Sequence, residues 1–270
     1  MPRRTEHQYR FRGSIAPTAD VKRPVRAEQP ADTPGVGTIH LDDVIDSWGG
    51  YWGISASEFN EALAELGDVE HINLHINSPG GEVYEGIAIL NALRRHKATV
   101  TAVVDGLAAS AASFIAVGVD KTVMAPNTEL MIHDAWGIAM GPAADMHAMG
   151  DRLDTISNNI ASVYAGKAGA TAEHWRAFML AETWYSAEEA VAAGLADEVE
   201  GSTELGDPGE IIENAFDLSV FKHSSRAAAP KPAMPRTGPA KATASPPDDR
   251  RERFTQLRAA RHHRRAAANA

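Results

Sequence analysis

Between residues 38 and 200 the apolar positions keep two rhythms, one of period two and one of three to four. Thr38-Ile39-His40-Leu41 reads as a short strand, and Ile72, Leu74 and Ile76 alternate with polar neighbours as a second strand does. Ser55 and Glu58 have capping-box spacing, and Phe59, Leu63 and Leu66 follow at helical intervals. The run Asn77-Ser78-Pro79-Gly80-Gly81-Glu82 ends the second strand, and Val83, Ile87, Leu90 and Leu93 mark a helix that stops near His96. Thr99 to Val104 is continuously apolar or β-branched, the pattern of a strand buried on both faces. Ser110 to Val117 reads as a helix, and Thr122–Met124 and Leu130–Ile132 read as short strands. Residues 143–166 carry Met146, Met149, Leu153, Ile156, Ile160 and Val163, mostly three or four apart, an apolar stripe of helix type. A helix over Thr171–Leu180 follows, then a second capping box at Ser186 and Glu189, a C-cap glycine at Gly194, and a closing segment Leu195–Val199. Strands alternating with helices predict an α/β domain with a largely parallel sheet.

Both flanks lack this patterning. Residues 1–36, rich in Pro, Arg and polar side chains, read as a flexible N-terminal arm, and the domain is expected over 37–222. Residues 223–270 read as an Ala/Pro-rich linker and a basic tail, with 228–270 expected to be disordered.

Charge sharpens this division. The chain of 270 residues has a net charge of −10, yet ten Arg and Lys face three acids from residue 228 onward. The central domain is therefore more acidic than the total suggests, which argues against nucleic-acid binding by that domain. With no cysteine, thiol nucleophiles, disulfides and zinc–thiolate sites are excluded. The polar N-terminus lacks an apolar signal core and no run of about 18 apolar residues occurs, so a cytoplasmic chain without a membrane span is expected.

The candidate chemistry centres on Gly106-Leu107-Ala108-Ala109-Ser110-Ala111-Ala112-Ser113. A serine that opens a helix stands among unpaired N–H groups, which suits either a nucleophile whose product is an oxyanion or an ordinary N-cap. Asn77–Glu82, at the end of a neighbouring strand, is either a turn or a glycine loop that offers an amide to such an oxyanion. In open α/β sheets, sites gather at the carboxyl ends of strands, where both stretches lie. Serine needs a base. Of the eleven histidines, His133 follows Leu130-Met131-Ile132 at a strand end, as a structural residue or as that base.

Four stretches, INSPGGEVYEGIAIL, GLAASAASFIA, MIHDAWG and WYSAEEAVAAGLADEV, occur in the order and spacing of the Clp-type serine peptidases. Over roughly residues 38–200 the chain resembles the Clp protease proteolytic subunit, and with its arms it is most similar to the phage head-maturation (prohead) proteases of that superfamily. The resemblance implies a crotonase-like α/β fold, Ser110 as nucleophile, His133 as general base, and the amides of Gly81 and Ala111 as oxyanion hole. Ser113, one turn on, is expected to pack inside. Where the family carries an aspartate, this chain has Glu182, whose stem is one methylene longer. Asp134 is the rival acid, although neighbours on an extended chain point to opposite faces.

The implied activity is a serine endopeptidase acting on protein or peptide substrates, capsid or scaffold proteins among them, with no cofactor and no metal. A ring-like homo-oligomer joined through residues 143–166 is implied, and any Clp ATPase would be a separate chain, since no P-loop motif is present. Localisation would be the cytoplasm, or an assembling prohead in a phage-infected host. The basic tail could contact an acidic scaffold or nucleic acid. The alternatives are a housekeeping Clp proteolytic subunit, a non-catalytic shell protein of the same fold, and a crotonase-type acyl-CoA enzyme; the in-register Ser110 and His133 argue against the last.

Overall fold

A computed structural model describes residues 25–30, 32–201 and 216–233. The expected arm over 1–24 and the basic tail from 234 onward lie outside the described residues. Strand β1 (Val25–Glu28) is followed by β2 (Val36–Leu41), α1 (Ala56–Glu65), β3 (His71–Ser78), α2 (Val83–Arg95), β4 (Thr99–Ala109) and α3 (Ala111–Val117). Then come β5 (Lys121–Met124), β6 (Glu129–Ile132), α4 (Ala143–Ala168), α5 (Ala172–Ala181), β7 (Thr183–Ser186), α6 (Ala187–Ala192) and β8 (Glu198–Val199).

The strands form one sheet whose main path runs β1-β2-β3-β4-β5-β8, and along that path the β1–β2 pair is antiparallel and the other pairs are parallel. The period-two pattern sets its faces. Ile39 and Leu41, Ile72, Leu74 and Ile76, and Val100, Ala102 and Val104 are all buried on one side, where Phe59, Leu90, Phe114 and Ile115 of the helices complete the core. The opposite face is polar: His40 stacks on His75 with ring centroids 5.0 Å apart, and His75 Nδ1 meets Asp105 Oδ2 at 2.8 Å. Both capping boxes form, at Ser55 with Glu58 and at Ser186 with Glu189.

The sheet forks at β4. Thr101–Val104 pairs with β5, whereas Leu107–Ala109 pairs in parallel with β6, which in turn pairs antiparallel with β7. The sequence led us to expect this strand to end at Val104. It runs on to Ala109 because small side chains at 106, 108 and 109 admit a second neighbour. Asn77 Oδ1 accepts the Leu107 N–H across the register shift between β3 and β4.

Three further expectations change. Residues 25–28, placed in the arm by composition, form the edge strand β1, with Val25 buried. The domain does not end at 222: residues 216–233 return to the body, with Phe221 buried against Leu107, Ala109, Met131 and Trp184. The apolar stripe of α4 is divided. Ile156 and Ile160 are buried in the chain's own core, Met149 and Leu153 are half-buried, and the rest of the first half of the helix is exposed. Ser113, as expected, is fully buried; its Oγ lies 2.6 Å from the Ser110 carbonyl and 2.8 Å from the Tyr164 hydroxyl, tying α3 to α4. No helix among the described residues is long and apolar enough to cross a membrane.

Candidate active site

β4 delivers Ser110 at the point where the chain turns from strand into α3. Its backbone adopts φ 52° and ψ −118°, a conformation that non-glycine residues avoid at a cost of roughly 1–3 kcal/mol. The neighbours hold it there: the Ser110 N–H donates to the Met131 carbonyl of β6 at 3.0 Å. The side chain makes no capping bond to α3, which removes the N-cap explanation for this serine. Instead, Oγ lies 2.7 Å from Nε2 of His133. β4 and β6 are parallel neighbours, so the residues that follow their ends, Ser110 and His133, lie side by side.

His133 is half-buried at the end of β6. Burial drives its pKa down from 6.5 to about 4; Lys222 pulls the same way, and Glu182 and Asp134 oppose. The imidazole is therefore neutral at pH 7. With its proton on Nδ1, Nε2 is free to accept from the Ser110 hydroxyl. Phe221 meets the imidazole edge-on, with centroids 5.4 Å apart.

The Asn77–Glu82 loop lies against the serine. Ser78 is buried and secures the loop, its hydroxyl donating to the Asp43 carbonyl at 2.6 Å and accepting the Gly80 N–H at 3.1 Å. Gly80 has φ 85°, and a Cβ there would fall 2.5 Å from the Ala109 carbonyl oxygen and 2.6 Å from the Ala111 nitrogen. Only glycine permits so close an approach. The bridge between Ile45 and Gly81 uses the Gly80 carbonyl and the Glu82 N–H, and leaves the Gly81 amide out of that pairing. Ala111 is the first residue of α3, where an N–H has no intrahelical acceptor. The loop thus brings Gly80 against Ser110 and Ala111, with Gly81 next to it in the chain.

The two candidate acids have different surroundings. Glu182, just beyond α5, is buried and has φ 54°. Its carboxylate accepts the backbone N–H groups of Lys222 at 2.8 Å and His223 at 2.9 Å, with Trp184 Nε1 at a longer 3.4 Å. Among the described residues its hydrogen bonds run to these donors and not to the imidazole, although its charge acts on His133. Asp134 is gripped by Arg176 through two contacts of 2.9 and 3.0 Å, and the same guanidinium reaches Asp154 and Asn158 of α4. Asp134 thus serves the α4–α5 junction.

Residues 221–223 are not anticipated as part of this site by the sequence, which places 221 and 222 at the end of the domain and 223 at the start of the linker. The one available signal was Leu218-Ser219-Val220-Phe221, an apolar cluster in an otherwise polar stretch. Among the described residues no group of three or more His, Asp or Glu side chains is placed to hold a metal ion.

Comparison with known proteins agrees with this architecture. The family model described as Clp protease matches residues 58–203. An ATP-dependent Clp protease proteolytic subunit from Chlorella vulgaris is 34% identical over 128 residues, which span 47% of this chain and 64% of that protein. Proteins of the same name from Streptococcus gordonii and Streptococcus pyogenes are each 34% identical over 156 residues, or 54% of this chain and 80% of theirs.

Proposed function

The chain belongs to the Clp protease family, and on that premise we propose that it is a serine endopeptidase whose setting is capsid maturation in phage assembly. The observation that carries the peptidase reading is the 2.7 Å contact between the Oγ of Ser110, at the start of a helix, and Nε2 of a half-buried, neutral His133. Nε2 takes the hydroxyl proton as Oγ attacks the scissile carbonyl. The amides of Gly81 and Ala111 receive the developing oxyanion. The imidazolium then returns its proton to the leaving amine. Glu182, held by backbone amides close to His133, favours the imidazolium through its charge. An acyl-CoA enzyme would not need this serine–histidine pair, and a shell protein would not need to keep it on a strained turn.

The phage setting rests on the arms outside the matched region. A second reading, a housekeeping Clp subunit that works in a ring with a separate ATPase, is favoured by the names of the curated relatives. A fluorophosphonate probe tests the chemistry. It should label wild-type protein on Ser110 and fail on Ser110→Ala and His133→Ala; labelling that survives in Ser110→Ala removes the peptidase reading. Co-expression with candidate substrates tests the setting. Serine-dependent trimming of a capsid or scaffold protein, or of the chain's own segment 234–270, supports maturation. Turnover that appears only with a Clp ATPase supports the housekeeping role.

A further inference from the structure

The family match ends at residue 203, yet hydrogen bonds to the buried acid of the site come from beyond it. Residues 216–233 form a strap that crosses the β4–β6–β7 branch of the sheet. Phe221 is its anchor: it is buried among Leu107, Ala109, Met131 and Trp184, and Leu218, Val220 and Ala229 pack around the same cluster. Its ring stands edge-on to both His133 and Trp184, at 5.4 and 6.0 Å between centroids. The next two residues give their N–H groups to the Glu182 carboxylate, and Lys222 Nζ reaches the Leu180 carbonyl at the end of α5. A second anchor is Arg226, whose guanidinium grips Glu189 of α6, with Nη2 2.8 Å from Oε1.

We infer that this strap is a positioning element of the active site: Phe221 walls one edge of the His133 imidazole, and the amides of Lys222 and His223 fix the Glu182 carboxylate beside it. The inference rests on the peptidase reading for its catalytic consequence, but its physical content is independent of turnover. A carboxylate on a left-handed residue has nothing in α5 to direct it, and two backbone donors set its direction more firmly than a mobile side chain would. An aromatic edge on the imidazole excludes water from the base and limits its rotation. The strap thus acts through Glu182 and His133 and does not itself touch the reacting atoms. The charged groups acting on His133 are Glu182, Asp134 and Lys222, so the strap supplies one of the three and orients another.

The test uses the full chain with Phe221→Ala, Phe221→Leu and Arg226→Ala. Two quantities are read: the titration midpoint of the His133 ring by NMR, identified by the resonance missing in His133→Gln, and kcat and KM for peptide hydrolysis across pH. Opening the wall hydrates the imidazole, so Phe221→Ala should move the midpoint from near 4 up toward 6.5. It should also lower kcat on the order of ten- to a hundredfold with little change in KM, because the base and its acid lose alignment. Phe221→Leu should restore most of both, and Arg226→Ala, which loosens the strap without entering its core, should shift both in the same direction by less. If Phe221→Ala does not fold, the Arg226→Ala shift decides. A wild-type midpoint and wild-type kcat in Phe221→Ala and Arg226→Ala overturn the inference. A wild-type protein that neither labels nor turns over refutes the peptidase reading alone, and the His133 midpoint still decides whether the strap walls the base.

Discussion

The hydroxyl of Ser110 and Nε2 of His133 meet at 2.7 Å because β4 and β6 run in parallel and end within one residue of each other in register. Neither residue is adjacent to the other in sequence, and neither could be moved one position without turning its side chain to the opposite face. Ser110→Ala removes only one hydroxyl beside small neighbours, so the fold should be kept, while peptide turnover should drop on the order of a millionfold. His133→Ala should lose a comparable amount, since the two act as a unit. Steady-state kinetics together with thermal unfolding separates these outcomes from misfolding.

Glu182 and Asp134 should part company on mutation. Glu182→Gln replaces one carboxylate oxygen with an N–H₂ group that faces either the Lys222 or the His223 N–H donor, since the two bond to different oxygens. Turnover should fall, though by less than about ten-thousandfold. Stability should fall by about 1–3 kcal/mol as a buried donor loses its acceptor. Glu182→Asp keeps the charge and should retain more activity than Glu182→Gln. Asp134→Asn weakens the Arg176 clamp, so its effect should appear in unfolding while activity stays within about tenfold of wild type. Reversed ranks, with Asp134→Asn the less active, would transfer the acid's role to Asp134.

The pH profile follows from the enclosure of His133. The neutral imidazole is the working form, and its pKa is held down at about 4 by burial. Activity should therefore persist well below pH 6.5, with its acid limb near 4. Stability follows the sign of the shift. As pH falls through 6.5, the unfolded histidine takes up a proton that the folded one refuses until about 4, so the favourable contribution present above 6.5 is lost over that window. The gap is worth on the order of 3 kcal/mol. Denaturation followed from pH 7 to pH 4, in wild type and in His133→Gln, isolates the part due to this residue.

Self-association should depend on the exposed half of α4 and the loop before it. Ile138 and Met140 are 58% and 94% exposed, and Met146 is 38% exposed, whereas Ile156 is buried in the chain's own core. Met140→Glu combined with Met146→Glu should shift an oligomer toward monomer without loss of fold, as read by sedimentation. Ile156→Glu should instead unfold the protein, because it places an unpaired charge in the core. A double variant that sediments like wild type would place the interface elsewhere.

Most of the sheet and the serine–histidine pair were legible in the sequence. Strong alternation at Ile72, Leu74 and Ile76 and the capping boxes at Ser55 and Ser186 are local signals, and they agree with the structure. The four quoted motifs brought Ser110 and His133 into register. What was hidden is non-local. Val25-Arg26-Ala27-Glu28 has only two modest apolar positions, and it is a strand because β2 offers an open edge. Gly106 to Ala109 lacks β-branching and extends β4 only because β6 lies beside it. Phe221 looks like an isolated aromatic at the end of the expected domain until the pocket beside Trp184, 37 positions earlier, is folded.

The strap also has a consequence in time. Chains are made from the N-terminus, and domains begin to fold as they emerge. Lys222, which supplies one of the amides that hold Glu182, follows it by 40 positions. A nascent chain thus carries Ser110, His133 and Glu182 before the groups that hold the Glu182 carboxylate have been synthesised. For that interval the Glu182 carboxylate lacks both of its backbone donors, and the edge of the His133 ring stands without Phe221.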